Sequence, residues 1–385
     1  MNKSIFVFIL FIFLSLFFLA NKYVVSRGLL ALDGNKYQRI FQWTYWILAL
    51  TFVLGQFLER GNPHDITKII SSIGSFWLGW FFYLLLIVIL VDFLRLFNYF
   101  LPFIKGQLIP NISNGVFLFY FVLIASVTIV FYGYINARSP IVNTVKITLD
   151  KPLSKNLKVV LVSDLHIGAI VGNPKIKKMV DKINQLNPDI VLIAGDLVDH
   201  NPKFAIKDEV GKQFLKLHPP MGIYAITGNH EYIGQAEVSI AYLSKFGIHY
   251  LRDSVVKINN EFYLAGREDR QMQQIMAKKR QSISQILSGV DKNLPVILMD
   301  HQPVEYNRAI AEKVDLMVSG HTHKGQMWPM NYITKAVFEN HYGLYKKMNT
   351  WFYTSNGYGT WGPPIRVGNR PEIVVIEISS NQINQ

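Results

Sequence analysis

The chain has 385 residues and a mass of 44.2 kDa; half of its residues are hydrophobic, 17% are charged, and its formal net charge is +13. An average soluble domain carries about 25% charged residues, so this deficit, with a mean hydropathy of +0.21, excludes a disordered chain and a wholly soluble one. The absence of cysteine excludes disulfides, zinc fingers, iron–sulfur clusters and thiol nucleophiles, and leaves the redox compartment open.

In chain order the composition is uneven. Residues 1–135 hold nine Lys and Arg and four Asp and Glu, whereas residues 136–385 carry the rest, with a net charge of +8. Four apolar runs stand in the first block: Ser4–Ala20, Ile40–Leu58, Ser75–Val91 and Val116–Ile135. Each is long enough for a hydrocarbon core that takes about 20 helical residues to cross. Trp43, Tyr45 and Trp46 near the start of the second run, and Tyr132 and Tyr134 near the end of the fourth, suit the membrane–water interface. Helices of a soluble bundle would need a charged face, which these runs lack. The first run exceeds the 7–15 apolar residues of a typical cleavable leader, and Asn21-Lys22-Tyr23 offers no small-residue cleavage site.

Four spans put both termini on one side. Seven positive residues flank that side (Lys3, Arg60, Lys68, Arg138, Lys146, Lys151, Lys155) against six on the other (Lys22, Arg27, Lys36, Arg39, Arg95, Lys105). The margin of one assigns the globular part to the cytoplasm. Asp92 and Arg95 are spaced to pair on one helix face at the exit of the third span. The block reads as an anchor, residues 1–135, followed by a polar linker at 136–156 containing Pro140 and Pro152 and a globular domain at 157–385.

In that domain strands and helices alternate. Strands are expected at Leu157–Val162, Asp189–Ala194, Ile223–Thr227, Phe262–Ala265, Val296–Met299, Leu316–Ser319, Phe352–Thr354 and Ile373–Ile378. Helices are expected from Pro174 through Leu186, over Ala236–Phe246 and over Gln271–Leu287, the last one amphipathic and basic through Lys278, Lys279 and Arg280. The alternation implies layered sheets covered by helices.

Polar residues collect just beyond the expected strands. They are Asp164 and His166, then Asp196, then Asn229 and His230, then His301, then His321 and His323. Ligands of open sheets bind beyond the carboxyl ends of strands, so these ends converge on one crevice. Carboxylate, imidazole and amide donors without sulfur suit Mn²⁺, Fe²⁺ or Zn²⁺ better than Ca²⁺. One carboxylate must bridge two ions held about 3.5–4 Å apart.

Asp164-Leu165-His166, Gly195-Asp196, Gly228-Asn229-His230-Glu231, His301 and Gly320-His321-Thr322-His323 resemble the calcineurin-like metallophosphoesterase family, over about Leu157–Ser379. The bacterial membrane-attached branch, which includes UDP-2,3-diacylglucosamine pyrophosphohydrolase-type members, is a nearer match. It has Gly-His-Thr-His-Gly-Gly-Gln where this chain has Gly320-His321-Thr322-His323-Lys324-Gly325-Gln326. Gly357-Tyr358-Gly359-Thr360, Pro364-Ile365-Arg366 and Arg370-Pro371-Glu372-Ile373 also look like that branch, and Lys324 departs from its glycine.

The resemblance implies an α/β fold, a four-layer αββα sandwich preceded by the all-α block of four transmembrane helices. It implies two divalent metal ions, with Asp164, His166 and His323 on one, Asn229, His301 and His321 on the other, and Asp196 bridging. His230 matches the family histidine that contacts phosphate and protonates the leaving group. The implied activity is phosphoester hydrolysis at the bacterial inner membrane, with a lipid-linked pyrophosphate such as UDP-2,3-diacylglucosamine as the leading substrate. A phosphodiesterase or phosphatase for soluble substrates is the alternative. A membrane sensor or scaffold with a degenerate enzyme domain would lack ligands, and all seven positions are filled. The aromatic and lysine-rich segment Met327–Tyr353 suits an interfacial surface. The positive charge is scattered, without a basic run or stacking motif, so no nucleic-acid partner is expected.

Overall fold

The computed structural model describes residues 3–101 and 115–381, with side chains from residue 8 onward. Lys105, counted above among the flanking charges, lies outside the described residues. Contacts divide the chain into two units, Met1–Ile135 with Gly362–Ile365, and Asn136–Trp361 with Arg366–Gln385.

The first unit contains helices α1 (Lys3–Ala31), α2 (Gln38–Leu58), α3 (Asp65–Phe100) and α4 (Gly115–Arg138). All four are long and apolar enough to cross a membrane. They extend past the apolar runs read from the sequence, most of all α3, whose 36 residues reach about 54 Å at a rise of about 1.5 Å per residue. A few polar side chains tie them together. Tyr45 donates to Asn21 Oδ1 at 2.9 Å, and Trp80 Nε1 donates to Ser126 Oγ at 2.8 Å. Asp92 pairs with Arg95 at 3.3 Å, as its spacing suggests, and also with Arg27 of α1 at 2.7 Å. The pair is therefore an interhelical triad.

The second unit holds two six-stranded sheets. The first runs β1 (Ile141–Leu149), β12 (Glu372–Ser380), β2 (Leu157–Val162), β3 (Ile190–Ala194), β4 (Ile223–Ile226), β5 (Ile248–Tyr250). The second runs β10 (Gly343–Lys347), β11 (Thr350–Thr354), β9 (Leu316–Ser319), β8 (Val296–Met299), β7 (Phe262–Gly266), β6 (Ser254–Ile258). The central strands β2, β3 and β4 are mutually parallel, as are β7, β8, β9 and β11.

Alternation along each strand makes four layers. Leu157, Val159 and Leu161 of β2 point toward the other sheet and meet Ile297, Met299, Leu316 and Val318 in the central core. Val160 and Val162 face the opposite way, onto Ile176, Met179, Val180 and Ile183 of the helix Asn173–Leu186. Leu298 and Met317 of the second sheet face Ile283, Ile286 and Ala309 in the outer helices. The order is helices, sheet, sheet, helices.

Two expectations need correction. The segment taken as a polar linker contains β1, which pairs in parallel with β12 from Ile141–Glu372 to Leu149–Ser380. Its alternation of Val145, Ile147 and Leu149 with polar residues gives it one face on the central core. The expected helix Gln271–Leu287 is broken into Gln271–Met276 and Ile283–Ile286. Ala277 takes a left-handed backbone, φ +54°, and Arg280 turns inward to Asp300. A buried ion pair overrides the helical periodicity there.

Candidate metal centre

Every site residue expected from the sequence lies just past a strand end. Asp164 and His166 follow β2, Asp196 follows β3, Asn229 and His230 follow β4, His301 follows β8, and His321 and His323 follow β9. Where the ladders end, the chain leaves the pleat sharply. Asp164, His166, Asp196, His321 and His323 all have φ between +47° and +71°. Such conformations cost about 1–3 kcal/mol each in residues other than glycine and persist only where the surroundings impose them.

The surroundings do impose them. Asp164 N donates to Gly195 O at 3.0 Å and His166 N to Asp196 O at 3.0 Å, so the loops after β2 and β3 stay laced beyond their strands. His230 N donates to Asp196 Oδ1 at 2.9 Å, and His321 N to Asp164 Oδ1 at 3.0 Å. Gly195 precedes Asp196 at φ +85°, and a Cβ there would stand 2.6 Å from His301 Nδ1. That nitrogen bonds Ala194 O at 2.8 Å. Gly195→Ala is therefore expected to destabilise the fold by on the order of 1–3 kcal/mol, measured by urea unfolding; an unchanged midpoint would contradict the tight packing described.

The side chains converge. Asp164, His166 and His323 form one donor group, and Asp196, His301 and His321 another, with candidate ligand atoms within 4.8 Å of one another in each. His166 Nε2 faces His323 Nε2 at 3.0 Å. Asn229 Oδ1 lies 3.2 Å from His301 Nε2 and 2.9 Å from His321 Nδ1. Asp196 Oδ2 is 3.2 Å from His301 Nε2 and 3.8 Å from His166 Nε2, so it stands between the groups. A third group, His166, Asp199 and His230, shares His166 with the first.

This donor set fits metal ions on its own chemistry. Asp164 and Asp196 are buried, and among the described residues their ion-pair partners are all histidines, without Lys or Arg. Burial, then His230, pushes His166 down to about 3; burial, then His301, pushes His321 down to about 4. Both are thus held as neutral imidazoles, the ligating form. Burial opposes ionisation of Asp164, but the histidines, His323 first, hold its carboxyl low.

Several residues outside the expected set complete the site. His230 Nδ1 meets Asp199 Oδ1 at 2.7 Å. Burial pushes His230 down, yet Asp196 and Asp199 outweigh it and raise it to about 9 in the metal-free protein. Glu231, fully buried, accepts from Asp196 N, Val198 N and Gly228 N at 2.7–3.1 Å and so locks the loop after β3 to the loop after β4. Arg366, also fully buried, donates to Gly357 O and Gly359 O and lies 3.3 Å from His323 Nδ1. Gln326 brackets Trp361, donating to its carbonyl at 2.8 Å and accepting from its N–H at 2.9 Å. Glu231, Arg366 and Gln326 stand inside the quoted motifs and Asp199 three residues past one, but only the fold shows what they touch. Lys324 sits at φ +48°, a conformation that glycine adopts without strain, and its ammonium lies 4.1 Å from the Tyr342 ring centroid.

A family model described as calcineurin-like phosphoesterase matches residues 157–325. An uncharacterized metallophosphoesterase of Aquifex aeolicus is 32% identical over 229 residues, spanning 59% of this chain and 87% of that protein. The chain belongs to the calcineurin-like metallophosphoesterase family. It is a metal-dependent phosphohydrolase, as the family and the clustered donors together establish. A transmembrane protein with metallophosphoesterase domain from Danio rerio is 33% identical, over 66% of this chain and 61% of that protein. An uncharacterized metallophosphoesterase of Campylobacter jejuni is 26% identical over 98% of this chain and all of its own length. A dimetal phosphatase from Danio rerio of known structure overlays with a TM-score of 0.35 at 10% identity, over 52% of this chain and 88% of that one.

Proposed function

We propose that this metallophosphoesterase hydrolyses an amphiphilic phosphoester at the membrane, with a lipid-linked pyrophosphate such as UDP-2,3-diacylglucosamine as the leading candidate. The observation that supports a lipid-bearing substrate is the wall of the catalytic cavity. That cavity, about 300 Å³, is lined by Asp196, Asn229, His230, His321 and His323 together with Met327, Met330, Ile333 and Trp361. The helix Met330–Val337 buries none of its residues, and its Tyr332, Ile333 and Val337, with the neighbouring Trp328, are exposed. An exposed apolar face marks an interaction surface. The aromatics of the expected interfacial segment divide: Trp328 and Tyr332 stay exposed, whereas Phe352 and Tyr353 fill the outer and central cores.

In this reading Asp164, His166 and His323 would hold one ion and Asn229, His301 and His321 the other, with Asp196 between them. Bound divalent ions supply positive charge against the phosphoryl oxygens and acidify a water. His230, protonated and fixed through Nδ1–H on Asp199, presents Nε2–H to the departing oxygen. Asp196 aligns His230 through its backbone N–H while its second oxygen faces the histidines. Residues 1–135 would anchor the enzyme in the bacterial inner membrane, with the catalytic domain, β1 included, on the cytoplasmic side; the charge margin of one supports that side.

The test compares two substrates with the full-length protein in detergent. Ile333→Ser with Val337→Ser removes apolar surface worth on the order of 1.4 kcal/mol, raising KM for UDP-2,3-diacylglucosamine about tenfold. Hydrolysis of bis(p-nitrophenyl) phosphate should hold. Equal losses on both substrates, or no turnover of the lipid by the parent protein, would reject the lipid reading.

A further inference from the structure

The polar triad of the four-helix unit has no part in the chemistry above. Asp92 Oδ2 accepts from the Tyr23 hydroxyl at 2.5 Å and meets Arg27 Nε at 2.7 Å, and its other oxygen meets Arg95 Nη1 at 3.3 Å. Among the described residues, Asp92 is the only carboxylate that either arginine meets. One arginine would suffice to neutralise it, so the triad keeps one positive charge.

The surrounding chain adds to that charge. Arg27 and Arg95 stand within about one and a half turns of the ends of α1 and α3, the ends from which the chain passes to α2 and to α4. Those two passages, residues 27–39 and 92–115, hold Arg27, Lys36, Arg39, Arg95 and Lys105 against Asp33 and Asp92.

The triad also lines a cavity of about 240 Å³ walled by all four helices. The wall on α3 is a stripe of Trp80, Leu84, Val88, Asp92 and Arg95, at steps of four and three, about 22 Å long at a rise of about 1.5 Å per residue. The charges stand at one end of that stripe and the remainder is apolar. Two other polar wall groups are already engaged, Tyr45 on Asn21 and Trp80 on Ser126. Val24, Leu84, Val88 and Val122 in the wall are buried, whereas Leu30, one turn from Arg27, is 67% exposed, so the cavity opens to the outside of the bundle near the charges.

Packed interiors keep few voids larger than a water, and an apolar void does not draw water in. In a bilayer the filler at hand is an acyl chain. The space is smaller than the ~300–1,000 Å³ of pockets that enclose a whole small ligand. A lipid would therefore seat one chain there and leave its head group at the charged end.

We propose that this cavity binds one anionic phospholipid, with an acyl chain among the four helices and its phosphate across Arg27 and Arg95. Basic pockets between membrane spans take anionic head groups, and guanidinium forks match phosphate oxygens. Asp92, with Tyr23, holds the two forks in place. The inference lies beyond the hydrolytic reaction and rests on reading residues 1–135 as a membrane anchor.

The test titrates phosphatidylglycerol and phosphatidylcholine of identical chains into full-length protein in detergent, with bound lipid counted by native mass spectrometry. The parent should hold one phosphatidylglycerol on the order of tenfold more tightly than phosphatidylcholine. Arg95→Gln leaves the Arg27–Asp92 tie between α1 and α3, and should lose about fivefold of that preference, the share of one arginine near an anionic head group. Val88→Phe keeps every charge but fills the cavity, and should weaken both lipids at this site. Circular dichroism and unchanged hydrolysis of bis(p-nitrophenyl) phosphate mark both variants as folded. Equal affinity of the parent for the two lipids overturns the site, as does a preference that Arg95→Gln leaves intact or binding that Val88→Phe leaves intact. Displacement of the lipid by glycerol 3-phosphate also overturns it, since the arginines would then serve a free phosphate. A chain that stays in solution without detergent rejects the anchor and the site together, whereas a detergent-dependent chain without lipid preference rejects the site alone.

Discussion

Asp196→Asn is expected to abolish phosphoester hydrolysis while leaving the fold intact. The carboxamide keeps an oxygen for His230 N, which Asp196 Oδ1 accepts at 2.9 Å. What disappears is the charge on the side facing His301 Nε2 at 3.2 Å and His166 Nε2 at 3.8 Å. An amide N–H₂ placed there offers no lone pair to a metal ion at the position proposed to bridge two. Losing a partner outside the ligand set already costs about 10–100-fold in affinity or activity, so losing the group between both sets should exceed about 100-fold. The measurements are initial rates with added Mn²⁺, metal content by mass spectrometry, and circular dichroism. A variant that keeps two ions and its rate would remove Asp196 from the bridging position.

His230→Ala is expected to lower kcat by about 10²–10⁴-fold, the range for losing a general acid, with metal content unchanged. The second half of that statement matters because His166, Asp199 and His230 also form a donor group. Loss of an ion in the variant would make His230 a ligand instead of an acid. Asp199→Asn should give a smaller loss, since it removes only the charge of the partner 2.7 Å from Nδ1. Asp199 also helps to raise His230 to about 9, against burial. In the metal-free protein, NMR titration of His230 should therefore move down from about 9 in Asp199→Asn. The sign follows from removing a negative neighbour that favours the imidazolium.

The eight strands expected from the sequence are the eight inner strands of the two sheets, and the four it did not show are the four edges, β1, β5, β6 and β10. Inner strands are covered on both faces and appear as unbroken apolar runs such as Ile190–Ala194 and Val296–Met299. Edge strands are wet on one side. Ser254–Ile258 and Gly343–Lys347 carry lysines and read as loop. The metal donors were legible for a related reason, because they follow inner strands directly. Asp199 and Glu231 were not assigned roles, although each stands within three residues of an assigned one. Their work is to hold groups brought from other strands, Asp199 on His230 and Glu231 on the β3 loop, and no local pattern encodes such a partnership. The broken basic helix is the same lesson with the sign reversed. Periodicity favoured one helix, but Arg280 has a buried partner twenty residues away.

The donors are divided between the sheets. Asp164, His166, Asp196 and Asn229 follow strands of the first, and His301, His321 and His323 follow strands of the second. Each proposed ion would draw ligands from both, so an ion would act as a rivet through the sandwich as well as a reagent. A ligand present at 100 times its dissociation constant adds about 2.7 kcal/mol to the folded state. That is a large share of a total stability of about 5–15 kcal/mol. Metal supply would then govern how long the folded chain survives, and chelation should lower its melting temperature even in a catalytically dead His230→Ala protein.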